Sequence, residues 1–247
     1  MRFFNPCRSK GLPLKELRIG VSGASGALGQ SLIKYFHKYG ARVVGLTSGE
    51  KYPLITDHNG ELISVKWVSW QCGEEETLVP LLKELDLLIL NHGINTYQNA
   101  SPNSVAISLE INTLSCLRLM NTILRQPGWY REIWINTSEA EIEPAFSPIY
   151  EISKRFLGQL VTIQHSNLFS TKGIRIRKLV LGPFRSSLNP IGLMNPEFVA
   201  RSIILQATSG LGLIVVTPNP LAYILIPLNE FGRWLYYKSF STTRTDI

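Results

Sequence analysis

The chain has 247 residues, with 25 Lys and Arg against 18 Asp and Glu, for a formal net charge of +7. Hydrophobic residues make up 45% and charged ones only 17%, below the about 25% of an average soluble domain, which excludes a charge-rich disordered chain. Gly and Pro counts of 19 and 14 are ordinary and three cysteines are few, which excludes collagen-like and disulfide-scaffold proteins.

Residues 1–16 read as a basic arm carrying Arg2, Arg8, Lys10 and Lys15, and residues 17–247 as a single domain. No long apolar run follows Arg2, so no export signal is expected, and Cys7, Cys72 and Cys116 then point to a reducing, cytoplasmic setting. Short Val/Ile/Leu-rich runs at Leu17–Ser22, Arg42–Leu46, Leu62–Val68, Leu87–Asn91, Glu132–Thr137, Ile174–Leu181 and Leu213–Val216 lack strict polar alternation, as strands covered on both faces do. Between them Ala27–Tyr39, Ser104–Leu124, Ile149–His165 and Pro196–Ala207 carry apolar residues at helical spacing, the last opening on the cap pair Asn195-Pro196. Repeated strand–helix alternation predicts a doubly wound parallel sheet, a three-layer α/β/α Rossmann fold, with ligands beyond the carboxyl ends of its strands.

The basic residues are dispersed, which argues against nucleic acid; the cluster Arg175–Arg177–Lys178 reads as a solvent-facing strand end. Ser202 to Asn229 is free of charge, but Gly210, Gly212, Pro218, Pro220 and Pro227 break it too often for a membrane span. It reads instead as a strand, a Pro-punctuated turn and an apolar C-terminal segment (218–240), in which Leu221–Phe240 with Trp234, Tyr236 and Tyr237 leaves shallow membrane contact open.

The first strand runs into Ser22-Gly23-Ala24-Ser25-Gly26-Ala27-Leu28-Gly29 and a helix follows. In that context Gly23 permits a tight turn, Gly26 lets the backbone approach a pyrophosphate and Gly29 allows close helix–strand packing. The second strand ends in Thr47-Ser48-Gly49 rather than in an acid, with Lys51 nearby, so a 2′-phosphate suits it and NADP is favoured over NAD; Glu50 keeps NAD open. Tyr150 and Lys154 stand one helical turn apart, so phenol and ammonium can converge on one bound molecule. A phenol ordinarily ionises near about pH 10, and a neighbouring cation favours its anion.

With Asn91-His92-Gly93 ending the fourth strand, Asn112 in the following helix and Thr137-Ser138 ending the fifth, the chain resembles the short-chain dehydrogenases/reductases from Arg18 to about Val216. The resemblance implies a nicotinamide dinucleotide held by Gly23, Ser25, Gly26, Ala27, Leu28, Gly29, Thr47, Ser48, Asn91, His92, Gly93, Tyr150, Lys154, Gly182 and Pro183. It implies Tyr150 as general acid/base, Lys154 as ribose ligand and promoter of the phenolate, Ser138 as the donor that polarises a carbonyl, and Asn112 as the holder of a relay water. The implied activity is hydride transfer between a carbonyl and an alcohol; a cofactor-retaining epimerase or dehydratase and a non-catalytic nucleotide-binding scaffold are the alternatives. Homo-oligomers are common in that family, and one is expected here; no metal is.

The glycine pattern matches the family's longer, epimerase-like branch, whose extra C-terminal domain has no room here, and the Ser138–Tyr150 spacing is short, leaving Thr137 as a second candidate donor. Glu139, Glu141 and Glu143 stand where small residues are usual; they read as a solvated acidic loop or, more sharply, as an acidic rim of the site. The segment 184–195, with Phe184, Leu188, Ile191, Leu193 and Met194, would cover an uncharged, lipophilic substrate or simply close the core.

Overall fold

In a computed structural model, residues 14–97, 99–125, 132–167 and 174–240 are described; most of the basic arm proposed for 1–16 lies outside them. Strands β1 (Arg18–Ser22), β2 (Arg42–Thr47), β3 (Lys66–Ser69), β4 (Leu87–Leu90), β5 (Glu132–Ser138), β6 (Arg175–Leu181) and β7 (Leu213–Val216) form one sheet in the order β3-β2-β1-β4-β5-β6-β7. Every pairing is parallel. Strand order reverses between β1 and β4, and a crevice opens there at the carboxyl ends.

The helices are α1 (Ala27–Lys38), a single turn α2 (Val79–Leu82), α3 (Pro102–Leu109), α4 (Ser115–Arg125), α5 (Pro148–Asn167), α6 (Pro196–Thr208) and α7 (Ala222–Phe240). Leu28, Leu32, Ile33 and Phe36 of α1 and Val199, Ala200, Ile203 and Ile204 of α6 close one face of the sheet over Ile19, Val21, Trp134 and Ile214. Leu82 of α2, Leu119, Met120 and Ile123 of α4, and Leu157 and Val161 of α5 close the other over Leu88, Leu90, Ile133 and Ile135. The doubly wound expectation holds.

Three sequence readings are corrected. The third strand begins only at Lys66; Leu62 makes an isolated antiparallel bridge to Thr56 and stays two-thirds exposed, so the apolar run before it is not strand. The helical segment expected over Ser104–Leu124 is interrupted by a π turn over Glu110–Leu114, between α3 and α4. The C-terminal apolar segment is a continuous helix through Pro227, which forgoes one backbone hydrogen bond. Ala222, Ile226 and Glu230, one turn apart each, bury its inner side and compensate.

The charged readings change most. Arg177 and Lys178 are 1% and 0% exposed, not solvent-facing. Arg177 donates to Glu132 and to the Leu211 carbonyl. Lys178 Nζ reaches Glu141 at 2.5 Å, Glu230 at 2.8 Å, the Gly158 carbonyl at 3.1 Å and Thr162 at 3.2 Å. A buried ammonium must be surrounded by acceptors, and this one draws the acidic loop inward. Glu141 is therefore buried, Glu139 accepts from Thr217, and Glu143 accepts from Asn219 Nδ2 at 2.5 Å, so the loop is not solvated. Gly158 is required opposite Glu141, since a Cβ there would overlap its carboxylate.

Candidate functional site

A cavity of about 690 Å³ lies over the switch point. Its phosphate end is the turn after β1. Gly23 adopts φ +63°, and a Cβ there would come 2.8 Å from His92 Cα, so both its conformation and its neighbour demand glycine. Gly29 lies behind the turn rather than on the cavity wall, where a Cβ would press within 2.7 Å of Ala24 Cα. Gly26 caps α1 without a side-chain bond, and Gly26, Ala27 and Leu28 line the cavity, so the first-turn N–H groups are open to an anion. A Cβ at Gly26 would meet only the Gly23 carbonyl, at 3.3 Å, so the space in front of the turn is open and fits a diphosphate.

The end of β2 supplies Thr47 and Ser48. Thr47 Oγ1 shares a 2.8 Å hydrogen bond with Ser25 Oγ and accepts from Gly49 N, while Ser48 stands on the cavity wall. Trp70, Gln71 and Cys72, just past β3, continue that wall and were missed in the sequence, where they follow no motif. His92 is enclosed by Ser22 (Nδ1 to Oγ, 2.7 Å), by Cys116 (Nε2 to Sγ, 3.6 Å) and by the Trp70 ring, edge to face. Burial first, and the Lys154 charge second, push the imidazole down to about 4, so it is neutral near pH 7.

At the chemical end the pleat of β5 decides which side chains face the crevice. Asn136 and Ser138 share one face and Thr137 the other. Thr137 donates to the Leu179 carbonyl at 3.1 Å, whereas Ser138 Oγ accepts from Ala140 N at 3.2 Å and keeps its own proton to donate. Tyr150 and Lys154 both line the cavity, with Lys154 Nζ 5.8 Å from the phenol ring centre. Lys154 Nζ donates to the Asn136 carbonyl at 3.1 Å; the Asn136 amide donates to Asn91 Oδ1 at 2.9 Å, and the Asn91 amide reaches the Gly23 carbonyl at 3.5 Å. Asn136 was missed, although its place two residues before Ser138 on a strand is the signal that finds it.

Asn112 sits in the π turn, fully buried and behind the wall. Its amide exchanges both hydrogen bonds with the Ile94 backbone, at 2.8 and 3.0 Å, and Nδ2 also meets Ser153 Oγ at 2.9 Å. It thereby clamps the loop after β4 to the helix that carries Tyr150; Gly93 packs beside it, where a Cβ would be 3.0 Å from Asn112 Oδ1. Gly182 and Pro183 line the opposite wall, and the segment after them contributes Phe184, Ser186, Ser187, Leu188 and Asn189. Asn95 and Tyr97 hold that segment by donating to the Leu188 and Ser187 carbonyls at 3.1 and 3.0 Å. Glu139 completes the rim; burial raises its pKa, opposed by the Thr217 hydroxyl.

Beside the cavity, Glu75 binds Ser115 at 2.7 Å and Arg118 at 2.7 and 3.1 Å, and Arg118 also pairs with Glu110 of the wall. Burial would raise the Glu75 pKa, but the Arg118, Gly73 and Ser115 hydrogen bonds outweigh it and hold the group at about 2, below its ordinary 4.5. A depressed carboxylate stabilises the fold above pH 4.5, and that contribution is lost as pH falls toward about 2. The urea midpoint of wild type is expected to drop more steeply through that window than the midpoint of Glu75→Gln, which has no carboxylate to protonate there.

No family model matches the chain. It is 41% identical over 236 residues, 93% of its length, to monoglucosyldiacylglycerol epimerase of Synechocystis, and spans 56% of that protein's length. A short-chain dehydrogenase from Burkholderia cenocepacia in complex with NADP superposes with a TM-score of 0.72 at 16% identity, covering 94% of this chain and 100% of that one. A short-chain dehydrogenase from Sphingobium yanoikuyae in complex with NADPH superposes with the same TM-score at 14% identity, covering 94% and 98%. Seven parallel strands, the crevice at their switch point and these superpositions give one conclusion: the chain has the fold of the short-chain dehydrogenases/reductases.

Proposed function

We propose that this chain belongs to the short-chain dehydrogenases/reductases and epimerises a carbinol of a lipid-linked sugar by nicotinamide-dependent oxidation and re-reduction. The observation that carries the reading is the convergence of Ser138, Tyr150 and Lys154 on a cavity whose far end is an open glycine turn. The 41% identity to a protein named as an epimerase of a glucosyl lipid supports epimerisation over net redox. The dinucleotide would lie along Gly23, Ser25, Gly26, Ala27 and Leu28, with its ribose at Lys154; Thr47 and Ser48, small and hydroxylic, suit NADP. When bound, it supplies a hydride acceptor and donor.

The chain's own residues then handle the proton. Tyr150 takes it from the carbinol oxygen as the C–H pair leaves carbon, and returns it to the same oxygen when the pair comes back on the other face of the carbonyl. Nothing is consumed, so atoms and electrons balance over the cycle. Ser138 donates to that oxygen in both directions, and general acid–base action of this kind contributes about 10²–10⁴-fold. Asn112 sets Tyr150 indirectly, by fixing the Ile94 loop against Ser153. Phe184 and Leu188 on the wall suit the apolar part of a neutral, lipid-bearing substrate, and Ser186, Ser187, Asn189 and Glu139 would meet its sugar hydroxyls.

A simple dehydrogenase is the second reading, favoured by the NADP and NADPH complexes of the superposing proteins. A glucosyl lipid deuterated at its ring carbinols separates the two. Epimerisation brings it to an equilibrium mixture of the two epimers with catalytic dinucleotide, without lasting absorbance of the reduced form. A dehydrogenase accumulates ketone and reduced dinucleotide in equal amounts. Turnover of neither kind overturns the proposal.

A further inference from the structure

The outer side of α7 carries an apolar surface that the other described residues leave uncovered. Leu221, Ile224, Leu225, Leu228, Leu235 and Tyr236 are each between 45% and 66% exposed and recur at three- and four-residue spacing. The inner side is Ala222, Ile226 and Glu230, all buried against β6, β7 and α5. Among residues 221–240 the sequence has one acid, Glu230, and its carboxylate is turned inward onto Lys178 and Thr162 at 2.8 Å each. The other charges in that stretch, Arg233 and Lys238, are positive, in a chain of net +7. The outer face is thus apolar, free of acid and set in a cationic background, the pattern that suits an interface of anionic headgroups over acyl chains.

Its position relates it to the cavity. The stripe starts at Leu221, two residues beyond Asn219, whose side-chain amide holds Glu143, and four beyond Thr217, whose hydroxyl holds the cavity residue Glu139. Phe146, on the same cavity wall, is 92% exposed. Among the described residues no helix is long and apolar enough to cross a membrane, so α7 would lie along a bilayer rather than through it.

We infer that the outer face of α7 docks this protein onto an anionic lipid surface, placing the cavity rim at the headgroup level where a lipid-linked sugar would be found. The inference deepens the proposed function and names where its substrate is met, but the docking can be read without any turnover.

Vesicles of phosphatidylcholine and phosphatidylglycerol in equal parts, without glycolipid, are sedimented with the full chain. Wild type is expected to sediment with them. The double variant Ile224→Glu/Leu228→Glu is expected to bind roughly tenfold or more weakly, since each exposed aliphatic side chain lost from the interface carries a comparable factor. Leu54→Glu, at a site 84% exposed on another part of the surface, should bind as wild type does. As a reading independent of the charged variants, an environment-sensitive dye on Leu228→Cys should shift to the blue with vesicles and one on Leu54→Cys should not.

Failure of wild type to sediment, equal binding by the double variant, or equal loss with Leu54→Glu would overturn the inference. So would a dimer in light scattering that the double variant dissolves, since a second copy would then cover the face. Epimerisation of detergent-dispersed glycolipid by the double variant should stay at the wild-type rate, so a failure of docking and a failure of the proposed chemistry are distinguishable.

Discussion

Tyr150→Phe is expected to lower turnover on a glycolipid substrate by about 10²–10⁴-fold while dinucleotide affinity stays close to wild type. The phenol is the one group in the proposed mechanism that must both take and return a proton. The aromatic ring keeps its place at the cavity, and Lys154 keeps its bond to the Asn136 carbonyl, so the ribose end of the site is unaltered. Dinucleotide binding is followed by quenching of tryptophan, for which Trp70 on the cavity wall is a reporter. The comparison to make is with Thr137→Ala and Ser138→Ala. The pleat of β5 gives Thr137 a carbonyl acceptor on the other side and leaves the Ser138 proton available, so Ser138→Ala should lower turnover and Thr137→Ala should mainly lower stability. Wild-type turnover in Tyr150→Phe would remove the assignment.

Lys178→Met is expected to have the largest effect on the fold, a loss of about 3–5 kcal/mol, because removing one partner from a buried ion cluster leaves uncompensated charge. In a domain of this size that lowers Tm by on the order of 10 °C. Burial works against the Lys178 charge, but Glu141 and Glu230 outweigh it and hold the ammonium protonated. Glu141 is raised, by burial before all else. Without the ammonium, which opposes that rise, the Glu141 carboxyl would be raised further above its unfolded value, a situation that favours folding at low pH and disfavours it as pH rises. The gap between variant and wild type should therefore narrow in acid and widen toward neutrality, as measured by denaturant midpoints across pH. Adding Glu230→Gln to the variant should restore part of the loss.

The buried strands and the helices that alternate with them were legible because a strand covered on both faces must be apolar throughout, as Leu87–Leu90 is. The glycine turn was legible for a similar reason: φ +63° at Gly23 and the crowding at Gly29 each admit one residue type. The phenol–ammonium pair stood out through its helical spacing together with Asn91-His92-Gly93, Asn112 and Thr137-Ser138, since that spacing alone is common. What escaped were features set by partners distant in the chain. Arg177 and Lys178 look solvated until Glu132, Glu141 and Glu230 are brought to them across the sheet. The same pairing hides the acid of Glu141, which on local grounds belonged to a wet loop. Pro227 reads as a stop, but the seam of Ala222, Ile226 and Glu230 holds the helix through it. The wall residues Trp70, Gln71 and Cys72 have no signature because their role depends only on where β3 ends.

The hydrogen-bonded run from Gly23 through Asn91 and Asn136 to Lys154 spans the carboxyl ends of three neighbouring strands. It ties the anion cradle to the ammonium through the protein's own side chains and carbonyls. A frame that holds this arrangement without a ligand would keep the competent state populated, and a ligand's intrinsic affinity would then not be diluted by a conformational equilibrium. Loading should accordingly be a single-step association, with a rate proportional to ligand concentration and no slow isomerisation to follow.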